Sequence, residues 1–446
     1  MKNQKTFAIY MVAMLTLCTS CMTASALTNK NVKDQDESVK DTPADGTTEN
    51  TTTSQTTDAK DLFTKRDLEQ TPDLTDAKEI TVSDNQELTI SSAGTYVIRG
   101  NAKEASIVVD ADDEAKVQLV LDGVSITNTD TPCIYVKNAD KVFVTTTDSE
   151  NSLTVSGTFQ ADGDTNTDAV IFSKEDLVLN GTGKLVITST DNAVSSKDTL
   201  TITGGTIKID CDGNALEAHD AVEVADGEIT VTSCNDGIHA EDSDDDSKGY
   251  VYIGGGTLNI TAADDAIHGT TYVQIDDGNL ILKSAEGIEA TIITINDGTI
   301  DISASDDGIN AAQKSSNYTP SFELNGGEVT IAMGAGDTDG VDSNGNITIN
   351  GGTILITGQS TFDYDGTATY NGGTIIENGQ ETNTITNQMF GGRGGMGGFG
   401  GMGNMENMEG KEGFGGRGMM KERQELPEGT DQGFGGEMKG KERMQW

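Results

Sequence analysis

The chain has 446 residues, with 73 Asp and Glu against 29 Lys and Arg, a net charge of −44, 54 Gly, five Pro and a single Trp. Residues 1–26 carry +2 and residues 389–446 carry −1, which leaves 19 basic and 64 acidic side chains, or −45, on residues 27–388. So acidic a body excludes nucleic acid and anionic lipid as direct partners, because binding to either relies on Lys and Arg neutralising phosphates. Divalent cations and cationic or neutral molecules remain.

The first element is an export signal. Lys2 and Lys5 precede an apolar run, Phe7 to Leu17, that is too short to span a bilayer as a mature helix. Two processing sites compete. Cys21 follows Thr19-Ser20, which suits lipobox cleavage and lipidation of Cys21, although Cys18 stands where Leu is usual. Ala24-Ser25-Ala26 is an A-x-A site for ordinary signal peptidase. The lipoprotein reading is preferred, since residues 27–61, rich in Asp, Thr, Ser and Asn and without aromatics, then serve as a disordered acidic tether. Either route places the protein outside the cytoplasm, on the cell surface or secreted. Cys133, Cys211 and Cys234 are too few for a disulfide scaffold. Cys211 and Cys234 fall on neighbouring repeats, so a bridge is conceivable, and two buried thiols are the plainer expectation.

Residues 62–388 carry a repeat: a short alternating strand, a Gly turn, a second strand, then an acidic, a small and an aliphatic residue. The triplet recurs as Asn192-Ala193-Val194, Asn214-Ala215-Leu216, Asp236-Gly237-Ile238, Asp265-Ala266-Ile267, Glu286-Gly287-Ile288, Asp307-Gly308-Ile309 and Asp339-Gly340-Val341. Its aliphatic members are 22, 22, 29, 21, 21 and 32 residues apart, a base period of 21–22 with two insertions. Gly turns such as Gly204-Gly205, Asp226-Gly227 and Gly255-Gly256 keep step with it. Fixed self-similarity at this period marks a solenoid, and the period-two alternation of Ile207-Lys208-Ile209 or Leu258-Asn259-Ile260 makes its elements strands. The fold class expected is all-β, a parallel β-helix whose turns stack about 4.8 Å apart. Roughly ten turns would give a single domain about 50 Å long, with residues 62–130 forming the first turns and a cap. A monomer is expected. Residues 389–446, with 19 Gly and nine Met, read as a disordered tail.

Stacking files equivalent residues into columns. The residue before the small one gives Asn192, Asn214, Asp236, Asp265, Glu286, Asp307 and Asp339, and the residue after the aliphatic gives Ser195, Glu217, His239, His268, Glu289, Asn310 and Asp342. Carboxylates about 5 Å apart repel and raise one another's pKa. Water and interspersed Asn or His can dilute that repulsion, or Ca²⁺, which takes six to eight oxygens, can sit between turns. Asp264, Asp306 and Asp337 add oxygens at the same corner, and Asp242, Asp244 and Asp246 alternate as carboxylates do in calcium loops, though without the EF-hand's Gly. The predicted metal ligands are therefore Glu217, Asp236, Asp242, Asp244, Asp246, Asp264, Asp265, Glu286, Glu289, Asp306, Asp307, Asp339 and Asp342, with Ca²⁺ as the cofactor. The three histidines, His219, His239 and His268, lie on consecutive turns. A Zn²⁺ or acid–base role is conceivable for the pair in one column, and imidazoles filling a polar stack is the plainer expectation. Tyr250 and Tyr272 share an outward column with Tyr252 beside them, and the three are expected to form a flat platform for a pyranose face.

With those residues in view, the strings Ala93-Gly94-Thr95-Tyr96-Val97-Ile98, Val117-Gln118-Leu119-Val120-Leu121-Asp122-Gly123-Val124, Ile134-Tyr135-Val136-Lys137-Asn138-Ala139-Asp140, Ile171-Phe172-Ser173-Lys174-Glu175-Asp176-Leu177 and Lys248-Gly249-Tyr250-Val251-Tyr252-Ile253-Gly254-Gly255-Gly256-Thr257 closely resemble the bacterial surface family of carbohydrate-binding domain-containing proteins. The resemblance covers about residues 78–380. It implies a right-handed parallel β-helix related to polysaccharide lyases, bound Ca²⁺, and affinity for cellulose and polygalacturonate without general catalysis. Where the family often has Lys after the triplet, this chain has Glu217, His239 and His268, which counts against a lyase-like basic site. Calcium-dependent binding of polysaccharide is the leading expectation. A calcium-assisted pectate-type lyase, with Lys197, Lys208 or Lys283 as base, and a non-catalytic adhesin or spacer are the alternatives.

Overall fold

A strand with alternating apolar and polar residues presents one face to a core and one to water, and this chain repeats such strands from Lys78 to Thr382. The structure is a computed structural model that describes residues 62–388 apart from Asp337. The export signal, Cys21, the tether and the Gly/Met-rich tail lie outside the described residues. Every named element is a strand, and the strands form one long sheet that is parallel almost throughout.

A strand pairs with the one about 22 residues further on, three elements along the chain, or two where a corner is spanned by one long strand such as Asp265–Ile275 or Glu286–Ile295. Leu177–Leu179 pairs with Leu200–Ile202, Lys184–Ser189 with Thr206–Cys211, and Val194–Ser196 with Leu216–Ala218. The chain therefore runs in courses of three strands, each course hydrogen-bonded to the next. The expected columns follow from the register: Val194, Leu216, Ile238, Ile267, Ile288, Ile309, Val341 and Phe362 stand in one file, all fully buried. Burial of each such side chain contributes roughly 1.5–3 kcal/mol, which fixes the register because a one-residue slip would turn the file to solvent.

Two devices hold the corners. At the Gly turn the second glycine has positive φ in course after course, as in Gly256 at +92° and Gly352 at +70°. A Cβ on Gly352 would meet the Gly326 carbonyl oxygen of the preceding course at 2.5 Å, so no other residue fits. Beside it runs an amide ladder that the sequence reading missed: Asn325 donates to Asn296, Asn350 to Asn325 and Asn371 to Asn350, at 2.7–2.8 Å. The last course closes with the antiparallel hairpin Thr374–Glu377 and Gln380–Thr382 around Asn378-Gly379, both at positive φ. This tight turn ends the parallel pairing.

The expected N-terminal cap is placed differently. Parallel pairing begins at Lys78–Thr81, and residues 62–70 instead lie as a strap on the outer face of a strand file far along the chain. The Asp67 carbonyl accepts from Thr203 Oγ1 at 2.5 Å and Asn180 Nδ2 at 3.3 Å. Gln70 bonds Gly181 N and Thr203 O at 2.9 Å each. Arg66 lies over the Phe143 ring at 4.4 Å, and Phe63 packs on Tyr252 at 6.0 Å. The strap shields Phe143 and Tyr252, outward residues that are each 1% exposed. Cys133, Cys211 and Cys234 are free and buried, so the two-thiol reading holds and no Cys211–Cys234 bridge is present.

Candidate functional site

The corner that ends each third strand and opens the next course carries the acidic triplets. Its small residue is dictated by packing: a Cβ on Gly308 would meet Ile331 Cγ2 at 2.4 Å and the Gly340 oxygen at 2.6 Å. The acidic residue before it ties courses together. Asn214 N donates to Asn192 Oδ1 at 2.7 Å, Asp236 N to Asn214 Oδ1 at 3.2 Å, Asp265 N to Asp236 Oδ1 at 3.1 Å and Asp339 N to Asp307 Oδ1 at 3.0 Å. One side-chain oxygen of each thus replaces an interstrand acceptor, while Asn192 and Asn214 Nδ2 donate to Glu217 and Asp236 Oδ2 meets His239.

The residue after the aliphatic forms a second file whose character changes along the courses. The register runs Val108, Tyr135, Phe172, Ser195, Glu217, His239, His268, Glu289, Asn310, Asp342 and Asp363. It opens with a small apolar cluster of Val108, Tyr135, Ala169 and Phe172 and becomes polar from Ser195.

Three stretches of the polar part differ. At its start, Glu217 is saturated by Ser195, Asn192 and Asn214 at 2.9–3.1 Å and by Lys197 at 3.5 Å. In the middle, His239 and His268 stack at 4.7 Å with 10° between planes. His239 Nδ1 meets Asp236 at 2.8 Å, and His268 Nδ1 meets Asp265 at 3.0 Å and Glu289 at 2.9 Å. Lys314 Nζ reaches Glu289 at 2.8 Å. Burial alone would push His268 down, but the Asp265 and Glu289 hydrogen bonds lift it to about 9. Burial would likewise raise Glu289, but His268 and Lys314 hold it at about 2. Burial would raise Asp236, but the His239 bond, the Asp265 backbone bond and the charges of His239 and His268 together lower it, and Asp265 is raised by burial. This stretch neutralises itself.

The last stretch does not. Burial, together with neighbouring carboxylates, pushes Glu286 to about 8, Asp307 to about 7 and Asp342 to about 6. Asn310, 9% exposed, donates from Nδ2 to Glu286 at 2.9 Å and to Glu289 at 3.2 Å, and its Oδ1 has no donor among the described residues. The carboxyl groups of Glu286, Asp307, Asp339 and Asp342 therefore gather under mutual repulsion, and Asn310, its Nδ2 spent on Glu286 and Glu289, adds an orphaned amide oxygen. That donor chemistry fits a hard divalent cation, whereas the His268 group, filled by a proton and by Lys314, does not.

The remaining predicted ligands are dispersed. Asp264 and Asp306 are exposed. Asp242, Asp244 and Asp246 do not converge into a calcium loop. Asp242 Oδ1 turns inward to accept from Asp244 N and Asp245 N at 2.8 and 2.9 Å, with its other oxygen 3.3 Å from His219. Asp246 bonds Ser315 and Asn317 of another insertion, and Asp244 is exposed. The open tyrosine platform is also corrected. Tyr250 and Tyr272 stack at 4.6 Å, but Tyr272 is 6% exposed. Tyr252 is covered by Phe63 and donates to Asp276 at 2.7 Å, so these faces do not offer a flat bed for a pyranose. Tyr250 instead donates to Glu223 at 2.7 Å, a carboxyl that burial raises to about 7.

Sequence reading missed Lys314, which lies in an insertion where column counting fails. It also missed Asp363, which follows Phe362 at the regular 21-residue step after Val341 but lacks the small residue of the triplet.

The profile of the carbohydrate-binding domain-containing family matches residues 84–340, more than half of the chain. A curated protein of Acetivibrio thermocellus described in the same words is 35% identical over 128 residues, 28% of this chain and 45% of that relative. The chain thus matches less than half of that relative's length. A solved structure, described as a polysaccharide lyase-like protein from C. thermocellum in a gadolinium derivative, has a TM-score of 0.43 and 26% identity. It covers 58% of this chain and 98% of its own.

Proposed function

Because the chain belongs to the carbohydrate-binding domain-containing family, we propose that it binds polysaccharide at the bacterial cell surface in a calcium-dependent manner, on a right-handed parallel β-helix. The three-strand courses and their parallel register support that winding, and parallel crossovers are right-handed in nearly all sheets. Export, with lipidation at Cys21 and residues 27–61 as tether, is part of the same proposal.

One observation carries the calcium requirement: Glu286, Asp307 and Asp342, in two adjacent files, are pushed up to about 8, 7 and 6 beside the unpartnered Asn310 Oδ1. Glu286, Asp307, Asn310, Asp339 and Asp342, spread over three successive courses, are the residues that would hold calcium. Bound there, calcium supplies positive charge that lets these carboxylates ionise and lets an acidic or hydroxyl-rich glycan approach a body of charge −45.

Binding is favoured over lyase chemistry. A proton-abstracting lysine needs a depressed pKa. Burial would lower Lys314, the cation nearest the file, but its Glu289 bond raises it instead. Lys197 lies 3.5 Å from Glu217. Pull-down on insoluble cellulose and on polygalacturonate, with Ca²⁺ and with EDTA, tests the proposal. Retention by either glycan in Ca²⁺ and release by EDTA is expected. Retention by neither would end the reading, and growing unsaturated-uronide absorbance would replace it with the lyase.

A further inference from the structure

The strap at residues 62–70 meets the strands beneath it at a contact that has no part in the acidic corner. Asp67 carries a carboxylate only 1% exposed, and its two oxygens are placed differently. Oδ2 accepts from Thr64 N at 2.8 Å, whereas Oδ1 has no hydrogen-bond partner among the described residues. Lys141 Nζ lies 3.6 Å from that Oδ1, on a side chain itself 15% exposed. Lys141 opens the strand Lys141–Thr146, and the register sets it beside Asp176 of the next course. Asp176 Oδ2 is 3.5 Å from the same nitrogen. Arg66 over Phe143 and the Gln70 bonds to Gly181 and Thr203 pin the strap on either side of Asp67. An amine, a carboxyl and a second carboxylate from distant parts of the chain are thereby held together, largely out of water.

A buried carboxylate with an unbonded oxygen is costly, and a neighbouring charge without bonding geometry offsets only part of that cost. Condensing the amine with the carboxyl removes both charges and the orphaned oxygen together. In open water hydrolysis opposes such a condensation. Reactants fixed side by side behave as though present at about 10⁵–10⁸ M, and a site that excludes water suppresses the reverse reaction.

We infer that Lys141 and Asp67 become joined by an isopeptide bond that fastens the strap to the sheet, with Asp176 carrying the proton. The Lys141 ammonium gives one proton to Asp176, and the freed amine attacks Asp67 Cγ to form the C–N bond. Oδ2, polarised by the Thr64 N–H, stays as the amide oxygen. The Cγ–Oδ1 bond breaks, and Oδ1 leaves as water with the proton held by Asp176 and a second proton from the nitrogen. One hydrogen remains on the amide, Asp176 is again ionised, and no oxidant or co-reactant is consumed. The bond is independent of what the acidic corner binds.

Mass spectrometry of the full chain, denatured and digested with trypsin, tests this. In the wild type the linked chain should be about 18 Da, one water, lighter than its sequence. Trypsin, blocked at Lys141, should release one branched peptide carrying both Asp67 and Lys141. Lys141→Arg keeps a cation beside both carboxylates but removes the amine, so it should give full mass and linear peptides. Asp176→Asn should lower the linked fraction of freshly made protein about tenfold or more, the scale of a lost proton carrier. Full mass and cleavage after Lys141 in the wild type overturn the bond, however the variants fold. A water loss that persists in Lys141→Arg overturns it too, and an unchanged linked fraction in Asp176→Asn overturns the proton transfer.

Discussion

His239 and His268 lie ring on ring at 4.7 Å on adjacent courses, each with Nδ1 on the carboxylate three residues before it. The stack explains how imidazoles enter a carboxylate file. Glu289, one course further, then faces a cation rather than another acid.

His268 should titrate near 9 by NMR, well above a free imidazole. Its raised value means that it contributes stability fully below about 6.5, and that this contribution is lost as pH climbs through about 9. A midpoint near 6.5 would show that the Asp265 and Glu289 bonds are absent in solution.

Replacing His268 with Gln leaves buried Asp265 without its cation and Glu289 with Lys314 alone. Breaking a buried pair in this way costs about 3 kcal/mol, read as a lower urea midpoint. Adding Glu289→Gln to that variant should recover most of the loss. No recovery would mean that ring packing, not charge, is what the histidine provides.

Glu286, Asp307 and Asp342 have values raised above those of the unfolded chain. Between about pH 4 and 8 the native state therefore binds more protons than the unfolded one, and stability falls as pH rises. After EDTA dialysis, Tm should drop from pH 5 to pH 8. Calcium should raise Tm most at pH 8, where ionised ligands are most in need of it, and Asp342→Asn should shrink that gain. An equal effect of Ca²⁺ on wild type and variant would remove Asp342 from the site.

Gly352→Ala should destabilise by about 2 kcal/mol or more, because it forces a side chain onto positive φ and into the Gly326 carbonyl. Gly123→Ala, at φ +75° with nothing within 4 Å of the added carbon, isolates the backbone component. It should cost less, and equal losses would assign the whole effect to φ.

The two columns were legible because a 21–22-residue period leaves few ways to stack, and every residue named from Val194 to Val341 stands in the expected file. What was not legible depends on residues that leave the period. Lys314 and Asp246 sit in insertions, where position no longer implies neighbourhood. Tyr252 was placed in its outward row correctly, but its burial depends on Phe63, from a segment nearly two hundred residues away. Alternation tells which face a side chain takes and is silent on what later covers that face. The sorting of carboxylates into paired and unpaired groups likewise needed distances, since Glu289 and Glu286 differ by three positions and by about 2 against about 8 in pKa.

The strap at residues 62–70 has a mechanical consequence. A pull applied to the chain at residue 62 does not unzip the Lys78–Thr81 strand from the end. The load passes first into the bonds of Asp67 and Gln70 to Asn180, Gly181 and Thr203, and into the Lys141 contact of Asp67 at 3.6 Å. Those anchors lie on internal strands that are hydrogen-bonded on both sides. Force is thereby borne in shear across several courses at once, and the vulnerable first strand sits slack in the loop behind the anchor.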